Sequence, residues 1–109
     1  MDERDFNEAA EAMLARIEQA LESCGVELDY EFKAGSVLEL EFDDGSKIIV
    51  NRHSAAREIW LAAKSGGYHF RLAGGEPDGR WVGTRDGREL LEVLARCIGE
   101  QGGRAVTLG

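Results

Sequence analysis

The chain has 109 residues, of which 43% are hydrophobic and 31% are charged, an ordinary balance for one globular domain. Its 21 acidic and 13 basic residues give a net charge of -8. Such a surface repels phosphate backbones, so the composition argues against nucleic acid as a partner and favours cations and basic protein patches.

Membrane and export signals are not expected from the sequence. No apolar run reaches the roughly 20 residues that a membrane-spanning helix needs, and residues 1–5 are acidic where a signal peptide would be basic. We therefore expect a cytoplasmic protein with no membrane partner. Cys24 and Cys97 lie far apart and form no CxxC pair, so two free thiols, packed as small apolar side chains, are the simplest expectation.

The first predicted element is an amphipathic helix from Phe6 to about Cys24, where Gly25 is expected to end it. Apolar residues recur at helical spacing and define its core positions: Phe6, Ala10, Met13, Leu14, Ile17 and Leu21. Glu11, Glu18 and Glu22 fall within an arc of roughly 40° on the opposite, solvated side. Because like charges one turn apart repel, folding alone does not favour Glu18 and Glu22 at this spacing.

Residues 27–32 alternate acidic and apolar side chains, which is typical of a half-buried strand. The alternation predicts that three residues face the core, Leu28, Tyr30 and Phe32, and that three carboxylates face water about 7 Å apart, Glu27, Asp29 and Glu31. A charged edge strand that resists aggregation would show the same pattern. No Lys or Arg lies between Arg16 and Lys33, and this favours a functional row of carboxylates.

The middle of the chain predicts a series of antiparallel strands. Residues 37–42 and 47–52 read as strands on either side of a tight hairpin at 43–46, with Glu39 and Glu41 pointing outward, after a turn at 34–36. Residues 53–58 have little pattern and are interpreted as a connection. Residues 59–63 fit a strand or a helix by period, and their length favours a strand; further strands are predicted at 68–72 and 80–83.

The last element is a second helix. Asp86 and Glu89 are spaced as a capping box, and the core positions that follow are Leu90, Leu91, Leu94, Cys97 and Ile98. Glycines 102 and 103 are expected to end this helix, and residues 105–108 to pack between the two helices. The order of helix, five or six antiparallel strands and helix predicts one α+β domain over residues 1–109, a two-layer sandwich with both helices on one face of the sheet.

The other face of the sheet is expected to be open to solvent. Alternation places Asn51, Trp60, His69 and Arg71 on it. If residues 59–63 form a strand, Trp60 projects from this face as a contact site for a partner; in a helix it would belong to the core. We interpret His69 as a contact on this face, while His53 beside the connection could reach an ion. No catalytic Ser/His/Asp order, P-loop or HExxH motif occurs, so an enzyme is not expected.

Two segments, KIIVNR at 47–52 and IWLAAKSGGYHF at 59–70, resemble the central signature of the bacterial frataxin (CyaY) family. The resemblance covers nearly the whole chain, with an acidic first helix and strand, Trp81 in the last strand and a terminal helix. It implies a frataxin-like α+β sandwich that binds iron through surface carboxylates. It also implies a role in iron-sulfur cluster assembly, with docking on the cysteine desulfurase and its scaffold protein.

Carried over by position, the resemblance implies metal contacts at Glu18, Glu22, Glu27, Asp29 and Glu31, with Glu11 a weaker member, and partner contacts at Asn51 and Trp60. Open carboxylates would hold Fe²⁺ or Fe³⁺ weakly, at about 10⁻⁵ to 10⁻³ M. Residues 23–26 are not acidic where many relatives carry acids, which leaves the number of ions open, and the loop at 74–79 looks longer than usual.

Three kinds of function remain open at this point. The first is a regulator of iron-sulfur cluster assembly, or an iron supplier for it, which docks through its acidic residues. The second is an acidic protein-binding adaptor whose metal binding is incidental. The third, a ferroxidase, would need ions held close together, and an open row of carboxylates suits this poorly. A monomer is expected, and iron could bridge molecules into oligomers.

Overall fold

The computed structural model describes residues 2–26, 28–33, 37–73 and 80–103, together with Val106 and Leu108. The elements are α1 (Glu3–Leu21), β1 (Leu28–Lys33), β2 (Val37–Phe42), β3 (Lys47–His53), a 3₁₀ turn (Ser54–Ala56), β4 (Glu58–Ala63), β5 (Gly66–Ala73), β6 (Arg80–Gly83) and α2 (Leu90–Gly102). The predictions for Glu27, the turn at 34–36, the loop at 74–79, Ala105 and Thr107 lie outside these residues.

The strands form one antiparallel sheet in the order β1-β2-β3-β4-β5-β6, so every strand pairs with its neighbours in sequence. The chain follows this order because short connections can join antiparallel strands directly. In this sheet β1 and β6 are the edge strands. Among the helices of the described ranges, none has both the length and the apolarity to cross a membrane.

Both helices bury their apolar side chains against the same face of the sheet. The predicted core positions of both helices share one cluster with the inward residues of the strands: Leu38, Leu40, Phe42, Ile48, Val50, Ile59, Leu61, Phe70 and Trp81. Leu108 also joins this cluster, at 8% exposed. The predicted two-layer α+β sandwich, with helices on one face only, is therefore confirmed.

The alternation along β1 predicts which way each side chain points but not how far it is buried. Tyr30 and Leu28 are half-buried as predicted, whereas Phe32, predicted to face the core, is 39% exposed. Phe32 lies opposite Leu38 and points to the helix side of the sheet. It stays exposed because an edge strand has a neighbour on one side only, so fewer side chains are available to cover it.

The ends of three elements differ from the sequence predictions. The first helix ends at Leu21, and Gly25 adopts its left-handed conformation (φ +84°) in the turn that follows. The second helix has no capping box, because Asp86 Oδ1 accepts from the Arg88 amide within the preceding turn and Glu89 occupies the N-cap position. The predicted connection at 53–58 is shorter than expected, since His53 ends β3 and Glu58 begins β4.

The close approach of α2 to the segment after α1 gives a first prediction. A Cβ at Gly102 would lie 2.5 Å from Cγ1 of Val26 and 3.5 Å from Cε1 of Phe42. Gly102→Ala gains about 1 kcal/mol of helix propensity, but overpacking of this kind costs about 1–3 kcal/mol. We expect a net loss of about 1 kcal/mol in the free energy of unfolding, measured by urea denaturation.

The matched control is the double variant Gly102→Ala/Val26→Ala, in which the clashing methyl groups are absent. It should be more stable than the sum of the two single changes predicts, because the new methyl group then fills the space that Val26 leaves. Strictly additive effects would show that the two residues do not touch.

Candidate functional site

Two surfaces carry the residues that the sequence singled out. The first, which we call the acidic edge, comprises Glu18 of α1 and Glu22 at its C-cap, Asp29 and Glu31 of β1, and Glu39 and Glu41 of β2. The second, which we call the Trp60 cluster, comprises His53, Glu58, Trp60, His69 and Arg71 on the open face of the sheet. The acidic edge lies at the β1 side of the sheet, and the Trp60 cluster is built on β3, β4 and β5.

The acids of α1 lie beside the helix-facing side of β1. Glu18 is half-buried and Glu22 is exposed. Partial burial, and then the nearby charges of Glu22 and Glu18, raise the pKa of the Tyr30 hydroxyl above its usual value. The helix and the first strand thus bring their acids to the same edge of the sheet. The acids of the helix lie on the helix-covered side of β1, whereas Asp29 and Glu31 lie on its open side.

The acids of β1 face the open side of the sheet and meet those of β2. Asp29 pairs with Glu41 and Glu31 with Glu39 across the two strands. Like charges directly opposite one another destabilise a sheet. Together with Tyr30, the four carboxylates line a shallow depression of about 230 Å³. Glu39 and Glu41 were predicted only to point outward; they belong to this surface because of the strand register.

Basic side chains of β1 and β3 compensate some of these acids. Lys33 lies 3.1 Å and Lys47 2.9 Å from Glu39, and Lys33 also lies 3.6 Å from Glu31. Hydrogen bonds from Lys47 and then Lys33 hold the pKa of the Glu39 carboxyl below its usual range. The acids that looked uncompensated in sequence are therefore partly neutralised at the Glu31–Glu39 pair, while no such partner contacts Asp29 or Glu41 among the described residues.

Glu11 stands apart from the other predicted metal contacts. Its carboxylate accepts a hydrogen bond from the Arg52 guanidinium at 3.2 Å, which ties the middle of α1 to the end of β3. Glu27 lies outside the described residues. In the part of the chain that the structure describes, no three His, Cys, Asp or Glu side chains are grouped closely enough to hold a metal ion.

At the centre of the Trp60 cluster, three rings are stacked. Trp60 lies across from Asn51 and His69, on the strand and face that the alternation predicted. The His53 ring stacks on the indole at 3.9 Å between centroids, and the His69 ring stacks on its other face at 4.4 Å, each within 7° of parallel. The predicted sheet-face contact of His69 is thus confirmed. His53 packs on Trp60, and its buried Nδ1 has no hydrogen-bond partner among the described residues.

A buried carboxylate lies at the edge of the indole in this stack. Glu58 is 7% exposed, although it points to the open face. Its Oε1 accepts from the Trp60 indole N–H at 2.7 Å and its Oε2 from Arg71 Nε–H at 3.2 Å. Sequence reasoning missed Glu58, since it assigned residues 53–58 to a connection. Extending the alternation from Trp60 by two residues would have placed Glu58 on the same face.

Asn51, the other predicted partner contact, is half-buried on the same face. Among the described residues, its side-chain amide donates one long hydrogen bond of 3.5 Å, to the carbonyl of Arg52. Asn51 and Trp60 were both predicted on the open face, and the structure makes them cross-strand partners in β3 and β4.

The fold and these two surfaces define a small α+β sandwich with an acidic edge and an open, aromatic sheet face. The frataxin-like domain model matches residues 1–104, so the chain belongs to the frataxin-like family.

Individual relatives cover most of the chain. The sequence is 53% identical over 108 residues to the iron-sulfur cluster assembly protein CyaY of Dechloromonas aromatica, with 99% of each chain covered. It is 49% identical over 94 residues to the protein of the same name from Vibrio cholerae, covering 86% of each. The solved structure of frataxin from Psychromonas ingrahamii matches with a TM-score of 0.84 at 32% identity, over 98% of this chain and 97% of that chain.

Proposed function

We propose that this protein acts in iron-sulfur cluster assembly, where it binds iron on the acidic edge and regulates assembly or supplies iron to it. The observation that carries the proposal is the match to relatives named iron-sulfur cluster assembly protein CyaY, at 44–53% identity over nearly the whole chain. The proposal places this role in the cytoplasm and assigns the chain no catalytic step.

Iron in this proposal is a cargo, held by surface oxygens. Hard cations take carboxylate oxygens, and Asp29 and Glu41 offer an opposed pair that no lysine contacts among the described residues. Glu18, Glu22 and Glu31 extend the negative surface around them. Because the carboxylates form no closed cage, affinity should be modest and other hard ions should compete. Weak binding suits a protein that must release its ion.

The partner in this proposal is the cysteine desulfurase with its scaffold protein. The acidic edge is suited to a basic patch on the desulfurase, while Trp60 and Asn51 supply a second contact on the open face. If iron and the basic patch share carboxylates, each must weaken or strengthen the binding of the other by the same factor. The free protein is proposed to be a monomer, and iron bound between acidic edges is the route to oligomers.

An acidic adaptor with incidental metal binding is the second candidate. It is favoured by one observation: in the described residues, carboxylates already engage basic side chains, as Glu11 does with Arg52 and Glu39 with Lys33 and Lys47, but do not form a metal cluster. Under this alternative, iron would leave partner affinity unchanged. Ferroxidase activity has no such support. Two-metal sites hold their ions about 3.5–4 Å apart, and an open row of carboxylates is poorly suited to holding two ions that close together.

The test measures affinity for the desulfurase at two salt concentrations, with and without Fe²⁺ under anaerobic conditions. The edge variant carries Glu22→Gln, Asp29→Asn and Glu31→Gln. We expect about tenfold weaker binding, because three exposed ion pairs contribute about 0.5 kcal/mol each. We also expect a smaller salt dependence and loss of the iron effect.

The matched control carries Asp43→Asn, Glu92→Gln and Glu100→Gln, three exposed acids outside the acidic edge that change the net charge equally. It should bind like the original protein. Equal weakening in both variants would contradict the acidic edge and leave only a net-charge effect. Edge-dependent binding that iron does not alter would favour the adaptor.

A further inference from the structure

Glu58 is a buried charge in a place where the sheet faces solvent. It is the single polar or charged residue classed as buried among the residues that the structure describes. Burying a carboxylate is unfavourable unless it is paired and hydrogen-bonded. Here both oxygens are engaged, one by Trp60 and one by Arg71, and His69 Nδ1 lies 3.6 Å from Oε1.

Folding stability does not explain a carboxylate at this position. Glu58 lies opposite His53 on the open face of the sheet, and a buried ion pair can often be replaced by well-packed apolar residues with no loss of stability. Arg71, its ionic partner, is 67% exposed, so this pair is well screened by solvent. What the carboxylate does distinctively is accept the indole N–H of Trp60.

The hydrogen bond and the stack together fix the indole. His53 and His69 hold the plane of the ring from both sides, and Glu58 determines which edge of the ring points inward. The indole N–H is thereby used within the protein, so the surface that Trp60 offers to a partner is its apolar carbon edge. A side chain held in this way loses little conformational entropy on binding.

We propose that Glu58 is a positioning residue, which pre-orients Trp60 for docking of the assembly partner. This inference rests on the proposed function, in which Trp60 contacts that partner. The docking site it defines takes an apolar side chain against the indole edge, with the Arg71 guanidinium and the His69 ring at its rim. Glu58 itself does not touch the partner and acts through Trp60.

Two variants separate orientation from charge. Glu58→Met keeps the length of the side chain and removes the acceptor, whereas Glu58→Gln loses the charge but keeps a carbonyl oxygen for the indole N–H. In the free protein, the ¹H–¹⁵N signal of the Trp60 indole, assigned with Trp60→Phe, should move upfield and exchange faster with water in Glu58→Met. It should stay close to its original position in Glu58→Gln.

Affinity for the desulfurase and scaffold complex should change in the same variant as the indole signal, Glu58→Met, and not in Glu58→Gln. We expect about fivefold weaker binding for Glu58→Met, the usual cost of ordering one side chain on binding, and near-original binding for Glu58→Gln. The melting temperature of Glu58→Met should fall by a few degrees, because the indole N–H and Arg71 lose their acceptor. Glu92→Met, the same change at an exposed site on α2, is the control and should alter neither signal nor affinity.

Failure of the inference and failure of the proposed function are distinguishable. If Trp60→Ala weakens binding but Glu58→Met does not, the docking site stands and Glu58 has no positioning role. If the indole signal is the same in Glu58→Met and the original protein, the hydrogen bond does not orient Trp60 and the inference is overturned. If Trp60→Ala itself binds normally, the proposed Trp60 contact is wrong, and a positioning role in docking falls with it.

Discussion

Replacing Phe6 with alanine should lower the free energy of unfolding by about 4 kcal/mol, the usual cost of emptying a buried phenylalanine site. Phe6 is fully buried, and its ring packs edge-to-face on Trp81 with centroids 5.9 Å apart and planes at 73°. It therefore connects the start of α1 to β6, the last strand of the sheet. For a domain of this size we expect the melting temperature to fall by about 20 °C.

Phe32→Ala is the matched control for this experiment. The same atoms are removed, but Phe32 is 39% exposed on the edge strand, so it contributes less buried apolar surface and the expected loss is about 1–2 kcal/mol. Urea denaturation followed by circular dichroism measures both variants. Similar losses for the two would contradict the packing of α1 on β6, because burial would then not distinguish the two rings.

Much of the fold follows from periods that backbone geometry imposes. Helical spacing identified every buried position of α1, and alternation in residues 37–42 placed Leu38, Leu40 and Phe42 inward. These predictions succeed because a side chain's direction depends on its own backbone. The exposure of Phe32 could not be obtained in this way, since it depends on which neighbours cover an edge strand.

The ends of helices and the partners of polar side chains depend on distances between atoms, which the spacing of residues in the sequence does not determine. Asp86 and Glu89 have the spacing of a capping box, yet the Asp86 carboxylate bonds the nearer Arg88 amide in a turn. On the acidic edge, the local absence of basic residues suggested an uncompensated row. Lys47 reaches Glu39 from the next strand, so the charge balance there is set by strand register.

The candidate site also has features that the sequence predicted and features that it did not. Strand alternation placed Trp60 and His69 on the open face, and the structure confirms both. His53 and the Glu58 carboxylate meet at the indole because the connection after β3 is short enough to bring Glu58 opposite His53. Arg57, at φ +56°, makes the left-handed turn that permits this.

Trp60→Ala should weaken binding of the desulfurase and scaffold complex by about thirtyfold or more, the effect of removing a central aromatic contact. The indole is half-buried in the free protein and oriented by His53, His69 and Glu58, so it offers a partner an ordered apolar surface. Asn51→Ala, at the side of this surface, should have a smaller effect. Calorimetric titration of the complex measures both.

Loss of Trp60 should change stability little in comparison. The side chain lies outside the hydrophobic core cluster, and its removal opens the Glu58 carboxylate to water, where hydration replaces the lost hydrogen bond. Phe32→Ala, which removes an exposed aromatic ring on the helix-facing side of the edge strand, should bind the complex like the original protein. A large fall in melting temperature for Trp60→Ala with unchanged binding would make the three-ring stack a structural element, and partner docking would then rest on the acidic edge alone.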